Sequence, residues 1–309
     1  MISTAQTLAE SAAPKSQPGW HRRRRLMGFA YTLPTLVFVA VLFIAPLVLV
    51  GRMSLSTWPL LTGAGDWNFP KNFDSIWRNR LFWPAVVFTI EYTVLVTVLL
   101  IGLGLGLALL VQAQGRWVGA LRTIYLLPVS VGLAAASLLA WGFFSPEIGP
   151  ISPPLEQLGV IDGPIQFLGT PLNALLSTTL LVVWKYAGFY MLILLVGLQA
   201  IPEDVFEAAQ LDGASRWQTF RHVTLPLLRP SIALALILCV TGSLLAFDQF
   251  YILTKGGPDN STVTVVSVIY REAFQRQNLG TAGALSIITL VVLLVLNALQ
   301  FRFLRGKED

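Results

Sequence analysis

Three places in the sequence set chemically able residues side by side. Trp184-Lys185-Tyr186, with Tyr190 one turn on, puts a cation among aromatic rings. Asp248 and Gln249 stand beside Phe247, Phe250 and Tyr251. Aromatic faces suit sugar rings, and a carboxylate next to an amide can receive sugar hydroxyls. The third place, residues 200–229, mixes acids, alanines, a glycine and a Leu-Pro pair in the manner of a docking element. All three offer binding chemistry and none offers bond-making chemistry. Two distant histidines (His21, His222) and one cysteine (Cys239) leave no basis for a metal site or disulfide framework. Neither Gly-x4-Gly-Lys-Ser/Thr, Gly-x-Ser-x-Gly nor His-Glu-x-x-His occurs, so neither P-loop ATP binding nor a familiar hydrolase site is expected.

The elements that must carry these residues lie in a membrane. Of the 309 residues, 55% are hydrophobic and only 12% charged, about half the charged share of a soluble domain. A bilayer core about 30 Å thick takes about 20 apolar residues of helix. Charge-free runs of suitable length fall at 26–51, 92–115, 123–146, 230–247 and 277–301, and 172–199 qualifies apart from Lys185. The fold class expected is therefore an all-α integral membrane protein with six transmembrane helices. The first run is too long for a signal-peptide core and has no small-residue cleavage site after it. Residues 1–25 read as a cytoplasmic tail, 26–303 as the membrane domain and 304–309 as a cytoplasmic C-terminus. Thirteen of the 21 Lys and Arg fall in the segments that share a side with both termini, and seven fall opposite. That bias places both termini in the cytoplasm. The basic cluster Arg22 to Arg25 serves topology and anionic lipid, so the formal charge of +5 does not point to nucleic acid.

The cytoplasmic loop 200–229 is longer than a linker needs to be. Pro202 suits a first helical position, and Glu203 and Asp204 complement the positive helix end. Val205, Phe206, Ala208 and Ala209 fall on one apolar face, and Gly213 after Asp212 ends the helix. Ser215 and Gln218 form a capping box for a second helix that carries Trp217 and Phe220 and stops at Pro226. The loop can dock another protein, or it can pack on its own bundle.

Glu207-Ala208-Ala209, then Gly213, then Val223-Thr224-Leu225-Pro226 resembles the signature loop of bacterial ABC importer permeases; Val223 replaces the usual isoleucine. Pro46-Leu47, Ser54 to Trp58, Arg122 to Pro128 and Leu253 to Thr262 are similar to the maltose-type carbohydrate branch, specifically its first permease. One departure is Phe88, where that branch often has Asn before Thr89. The resemblance implies a type I importer permease fold in a bacterial inner (plasma) membrane, with the loop as coupling helix. Glu203, Phe206, Glu207, Ala208, Ala209, Asp212, Gly213, Ala214, Leu225 and Pro226 would then meet a separate ATPase. It also implies a second homologous permease, two copies of an ATP-binding subunit holding ATP and Mg, an extracytoplasmic binding protein, and a sugar or sugar-like solute. The chain itself would hold no cofactor. Readings left standing beside it are a stand-alone ion-coupled secondary transporter and an intramembrane hydrolase or transferase.

Trp184, Lys185, Tyr186, Tyr190, Asp248, Gln249 and Tyr251 are the candidates for the solute pathway. A mid-span lysine costs about 2.5–3.5 kcal/mol on insertion scales, so Lys185 either faces the pathway or is paired structurally inside the bundle. Asp248 and Gln249 either meet solute at the outer end of the fifth span or anchor it at the interface. Glu91 is placed near the outer end of the second span. Asn173, Asn297, Ser130 and Ser137 read as interhelical hydrogen-bonding residues, and Gly102, Gly104 and Gly106 as a close-packing stripe.

Overall fold

The structure, a computed structural model, describes residues 29, 31–112 and 115–305, so the expected tail 1–25 lies outside the described residues. The chain forms two compact units, Met1–Arg52 and Met53–Asp309. The first contributes one described helix, α1 (Tyr31–Ser54), which runs two residues into the second. Its turn Ala40–Ile44 is widened to a π turn, with the Ala45 N–H bonding the Ala40 carbonyl, just ahead of Pro46. A proline ring in a regular helix strikes the carbonyl four residues back, and the wider turn relieves that clash.

The second unit contains α2 (Lys71–Trp77), α3 (Phe82–Leu110), α4 (Arg116–Ser130), α5 (Leu133–Phe143), α6 (Ser152–Gln157), α7 (Pro171–Gln199), α8 (Glu203–Leu211), α9 (Arg216–Thr219), α10 (Arg229–Leu244), α11 (Asp248–Leu253), α12 (Val265–Tyr270) and α13 (Leu279–Arg305). Among the described residues there is no strand, only two isolated bridges. Five helical spans are long and apolar enough to cross a membrane: α1, α3, α7, α13 and the stretch Arg229–Leu253. A sixth exists only if α4 and α5, bent by 94° at their junction, count as one.

That bend corrects the straight third span expected at 123–146. Pro128 removes a donor, Val131 turns extended and Gly132 follows with ψ 143°, so the helix restarts at Leu133 in a new direction. Three other boundaries move as well. The second span begins ten residues earlier, at Phe82, which puts Glu91 inside it and exposed along its side. The fifth span breaks at Leu245–Phe247 and resumes as α11, so Asp248 and Gln249 sit at an internal break and not at the span's end. Pro226 does not stop the second loop helix. A π turn at Phe220–Thr224, with Leu225 N–H bonding Phe220 O, accommodates the proline, and the chain runs on towards α10. The same device serves Pro46 and Pro226.

Lipid is as apolar as leucine, so helices in a bilayer associate through close fit and internal hydrogen bonds. Buried α3 residues recur every four positions (Phe88, Tyr92, Val96, Leu100, Gly104, Ala108) and pack on Val182, Tyr190, Met191, Leu194 and Leu198 of α7. Within the expected glycine stripe only Gly104 is a contact: a Cβ there would lie 3.0 Å from Tyr190 Cβ, whereas Gly102 and Gly106 face open space. Gly188 of α7 is tighter still, since a Cβ would fall on the Tyr125 carbonyl of α4. Backbone cannot step aside as a flexible side chain can. Gly188→Ala should therefore cost about 1–3 kcal/mol and lower the thermal midpoint by several degrees, while Gly106→Ala leaves it unchanged or higher. Fluorescence-detected thermal unfolding in detergent measures both, and equal midpoints would overturn the contact.

Of the four residues expected to bond between helices, only Asn297 does, accepting from Thr241 Oγ1 at 3.1 Å across α10 and α13. Ser130 and Ser137 donate to carbonyls of their own helices, and Asn173 donates to the Gln166 carbonyl. A second core of Ile76, Phe82, Val263, Val268 and Leu285 joins α2, α12 and the ends of α3 and α13. Glu272 is buried there and accepts from Asn79 at 2.8 Å and from Arg276 at 2.7 Å.

Candidate functional site

A cavity of about 380 Å³ opens where α3, α5, α7, α10 and α11 meet. The break after Leu244 shapes it: Leu245 to Phe247 leave the helical track, and they and the first two residues of α11, Asp248 and Gln249, contribute to the wall. Tyr92, Tyr186, Phe189, Tyr190 and Phe247 supply the rings, and Ser243, Asp248 and Gln249 supply polar groups. Gln249 is 4% exposed; its Nε2 donates to Tyr92 Oη at 3.1 Å, and its Oε1 is buried without a partner. Phe250 holds α11 against α3 by edge-to-face contacts with Tyr92 and Phe88, at 4.8 and 5.1 Å. The wall therefore combines apolar ring faces with oxygen acceptors. That arrangement is chemically able to bind a polyhydroxylated ring. Among the described residues, no three His, Cys, Asp or Glu converge as they would on a metal ion.

Of the seven pathway candidates, Tyr186, Tyr190, Asp248 and Gln249 line this cavity. Trp184 projects from α7 elsewhere, about half exposed. Tyr251 belongs to a neighbouring aromatic group, stacked on Phe247 at 5.1 Å with its hydroxyl 3.3 Å from that of Tyr270. That hydrogen bond pushes the Tyr270 phenol above its ordinary value. Lys185 is buried outside the cavity wall. Its Nζ donates to the Pro128 and Val129 carbonyls, each at 3.4 Å, and to the Val131 carbonyl. These oxygens belong to the α4–α5 break, where helical donors are missing, so the ammonium replaces them.

In loop 200–229 the fold follows local signals closely. Pro202 is the N-cap of α8, one position ahead of that expected. Gly213 takes φ +76°, with Ala214 N–H to Ala209 O and Gly213 N–H to Gln210 O, both at 3.0 Å. Those two bonds make a Schellman end, and the left-handed residue it needs is the glycine. Ser215 and Gln218 then complete the capping box from both sides. The expected apolar face splits: Ala209 is buried and Val205 and Phe206 half-buried, while Ala208 points outward with Glu207. Leu211 at 89% and Trp217 at 66% exposure extend that outer face, with Asp212 and Gly213 at the bend. Leu225 and Pro226 lie half-buried at its base.

Residues 100–308, more than half of the chain, match the binding-protein-dependent transport system inner membrane component family. The chain belongs to this family. It is 34% identical over 294 residues to the trehalose/maltose transport system permease protein MalF of Thermococcus litoralis, covering 93% of this chain and 96% of that one. It is 30% identical over 306 residues to the lactose transport system permease protein LacF of Rhizobium radiobacter, covering 96% and 100%. Its fold matches a subunit of a bacterial ABC transporter involved in the import of the acidic polysaccharide alginate, with TM-score 0.83, 24% identity, and 95% and 100% coverage. This is the type I importer permease fold, and membership sets aside the stand-alone transporter and the intramembrane enzyme.

Two features of this permease escaped the sequence reading. Tyr92 counted only as the edge of an apolar run, yet it lines the cavity and its hydroxyl accepts from Gln249. Leu211 was overlooked because helical spacing does not reveal which side of a short helix a bundle covers.

Proposed function

We propose that this permease forms half of the pathway of an ATP-driven importer for a sugar or sugar-like solute. A second homologous permease supplies the other half. Two copies of a separate ATP-binding subunit, with ATP and Mg, dock at the Glu207–Gly213 bend, and a binding protein delivers solute on the opposite side. The Lys and Arg bias supports cytoplasmic termini and a cytoplasmic bend. Phe206, Ala209 and Ala214 shape the docking helix from within, Glu203 opens its first turn at the surface, and Glu207, Ala208, Asp212, Gly213 and the Leu225-Pro226 base meet or set the contact. The sugar reading is supported by the names of the curated relatives and by the ring-and-acceptor wall.

The observation that carries the coupling reading is the outward face of α8 and its bend. Glu207, Ala208, Leu211 and Trp217 stand exposed on a scaffold locked by a Schellman end and a capping box. ATP-driven closure of two docked subunits would move this rigid element and, through the Arg216 to Leu244 stretch, helical except for a turn at Leu228, the cavity wall. Affinity purification of the tagged chain from its native membrane should recover a P-loop ATPase and a second permease. Recovery of the chain alone would overturn the proposal.

A further inference from the structure

We infer that the cavity admits neutral polyhydroxylated solutes and rejects those that carry an acidic group. The inference rests on the sugar-import reading and concerns the charge of the cargo. Among the described residues of this chain, Asp248 carries the only carboxyl group in the wall, and no lysine, arginine or histidine lines it. The carboxylate is exposed and has neither hydrogen bond nor ion pair with any described residue. Next to it, the buried Gln249 spends its amide N–H on Tyr92 and keeps Oε1 unpartnered. Both free polar groups on the first turn of α11 are therefore acceptors. Neighbouring hydroxyls of a sugar ring satisfy such a pair as donors, whereas a buried acceptor left facing another acceptor pays its desolvation without return.

The one buried cation nearby does not redress the balance. Lys185 gives its ammonium to the carbonyls of Pro128, Val129 and Val131 and stands behind the wall, over the Tyr186 ring at 5.1 Å, so it offers no donor to the cavity itself. A uronate or sulfate would thus bring a second negative charge against Asp248 in a space walled by aromatic rings. Repulsion between like charges strengthens as water is excluded.

The test uses the complete complex, with partner permease and ATPase subunits, in nanodiscs without binding protein. Saturation-transfer NMR would compare maltose, trehalose and lactose with their 6-carboxylate counterparts. Each neutral sugar that binds should exceed its acidic counterpart by about tenfold or more in affinity, and Asp248→Asn should shrink that ratio to about threefold or less. Acidic sugars binding wild type as tightly as neutral ones would overturn the inference, and so would an unchanged ratio in Asp248→Asn. The wild-type ratio stands as a test even if the variant assembles poorly. Binding by neither series, with the partner subunits recovered, would remove the sugar reading and this inference with it.

Discussion

Gly213→Val should strip the ATPase from the purified complex, reducing its recovery by about tenfold or more, while the second permease stays bound. The argument is local. A Cβ at Gly213 meets nothing within 4 Å, so space is not the constraint, but φ is +76°. Non-glycine residues pay about 1–2 kcal/mol in that region, and branching at Cβ makes valine a genuine outlier there. Alanine should consequently be mild and valine severe. Losing the left-handed turn removes the Ala214–Ala209 and Gly213–Gln210 bonds, and with them the fixed angle between α8 and the capped helix α9. No spanning helix crosses this bend, so insertion should persist. Glu207→Lys supplies an independent arm, because Glu207 is exposed and its reversal disturbs only what docks there. Quantitative mass spectrometry of the tagged complex reads both variants. Wild-type ATPase recovery in Gly213→Val and Glu207→Lys together would end the coupling role of this loop.

The contrast between loop and membrane explains how much could be read in advance. Loop conformation is set by neighbours in sequence: Ser215 and Gln218 cap each other, and Gly213 is the residue that can turn left-handed, so those features were legible residue by residue. Span existence was legible too, because hydrocarbon thickness dictates the length of an apolar run. Span shape was not. Pro128 and Pro226 look alike in sequence, yet the first precedes a 94° bend and the second is absorbed by a π turn. The difference is tertiary: freed carbonyls near Pro128 find a cation on another helix, fifty-seven residues away from Pro128 along the chain. Asp248 misled for a related reason. A charge ends an apolar count, but here the charge marks a break within a span that continues to Leu253. Of the cavity residues, the sequence exposed Tyr186, Tyr190 and the Asp248-Gln249 pair. It could not show that Lys185 spends its ammonium on the α4–α5 break, behind the Tyr186 ring, or that Tyr92 turns in.

Lys185→Met carries the second large effect, and it separates insertion from transport. Methionine matches the length of lysine without its charge, so insertion should become easier by up to about 2.5–3.5 kcal/mol, and the amount of chain in the membrane should hold or rise. Lys185 has no acidic partner, since the single ion pair among the described residues joins Arg276 and Glu272. What disappears is the donor shared by the Pro128, Val129 and Val131 carbonyls. An acceptor left unmet away from water costs about 1–3 kcal/mol, and the Val129 and Val131 carbonyls lose this donor, whereas the Pro128 carbonyl keeps the Val131 N–H at 3.3 Å. The α4–α5 junction should shift to satisfy them, and Leu133, the first residue of α5 and part of the cavity wall, shifts with it. Uptake into proteoliposomes should fall by about tenfold or more, the scale of one lost charge-assisted hydrogen bond, with ATPase recovery intact because the docking bend is remote. Lys185→Arg keeps the charge but adds bulk beside Gly188, where the Tyr125 backbone already fills the space, so its rescue should be partial. Full uptake by Lys185→Met would show that the bend holds without its ammonium, and the cavity wall would then owe its position to packing on α7 and α11 alone.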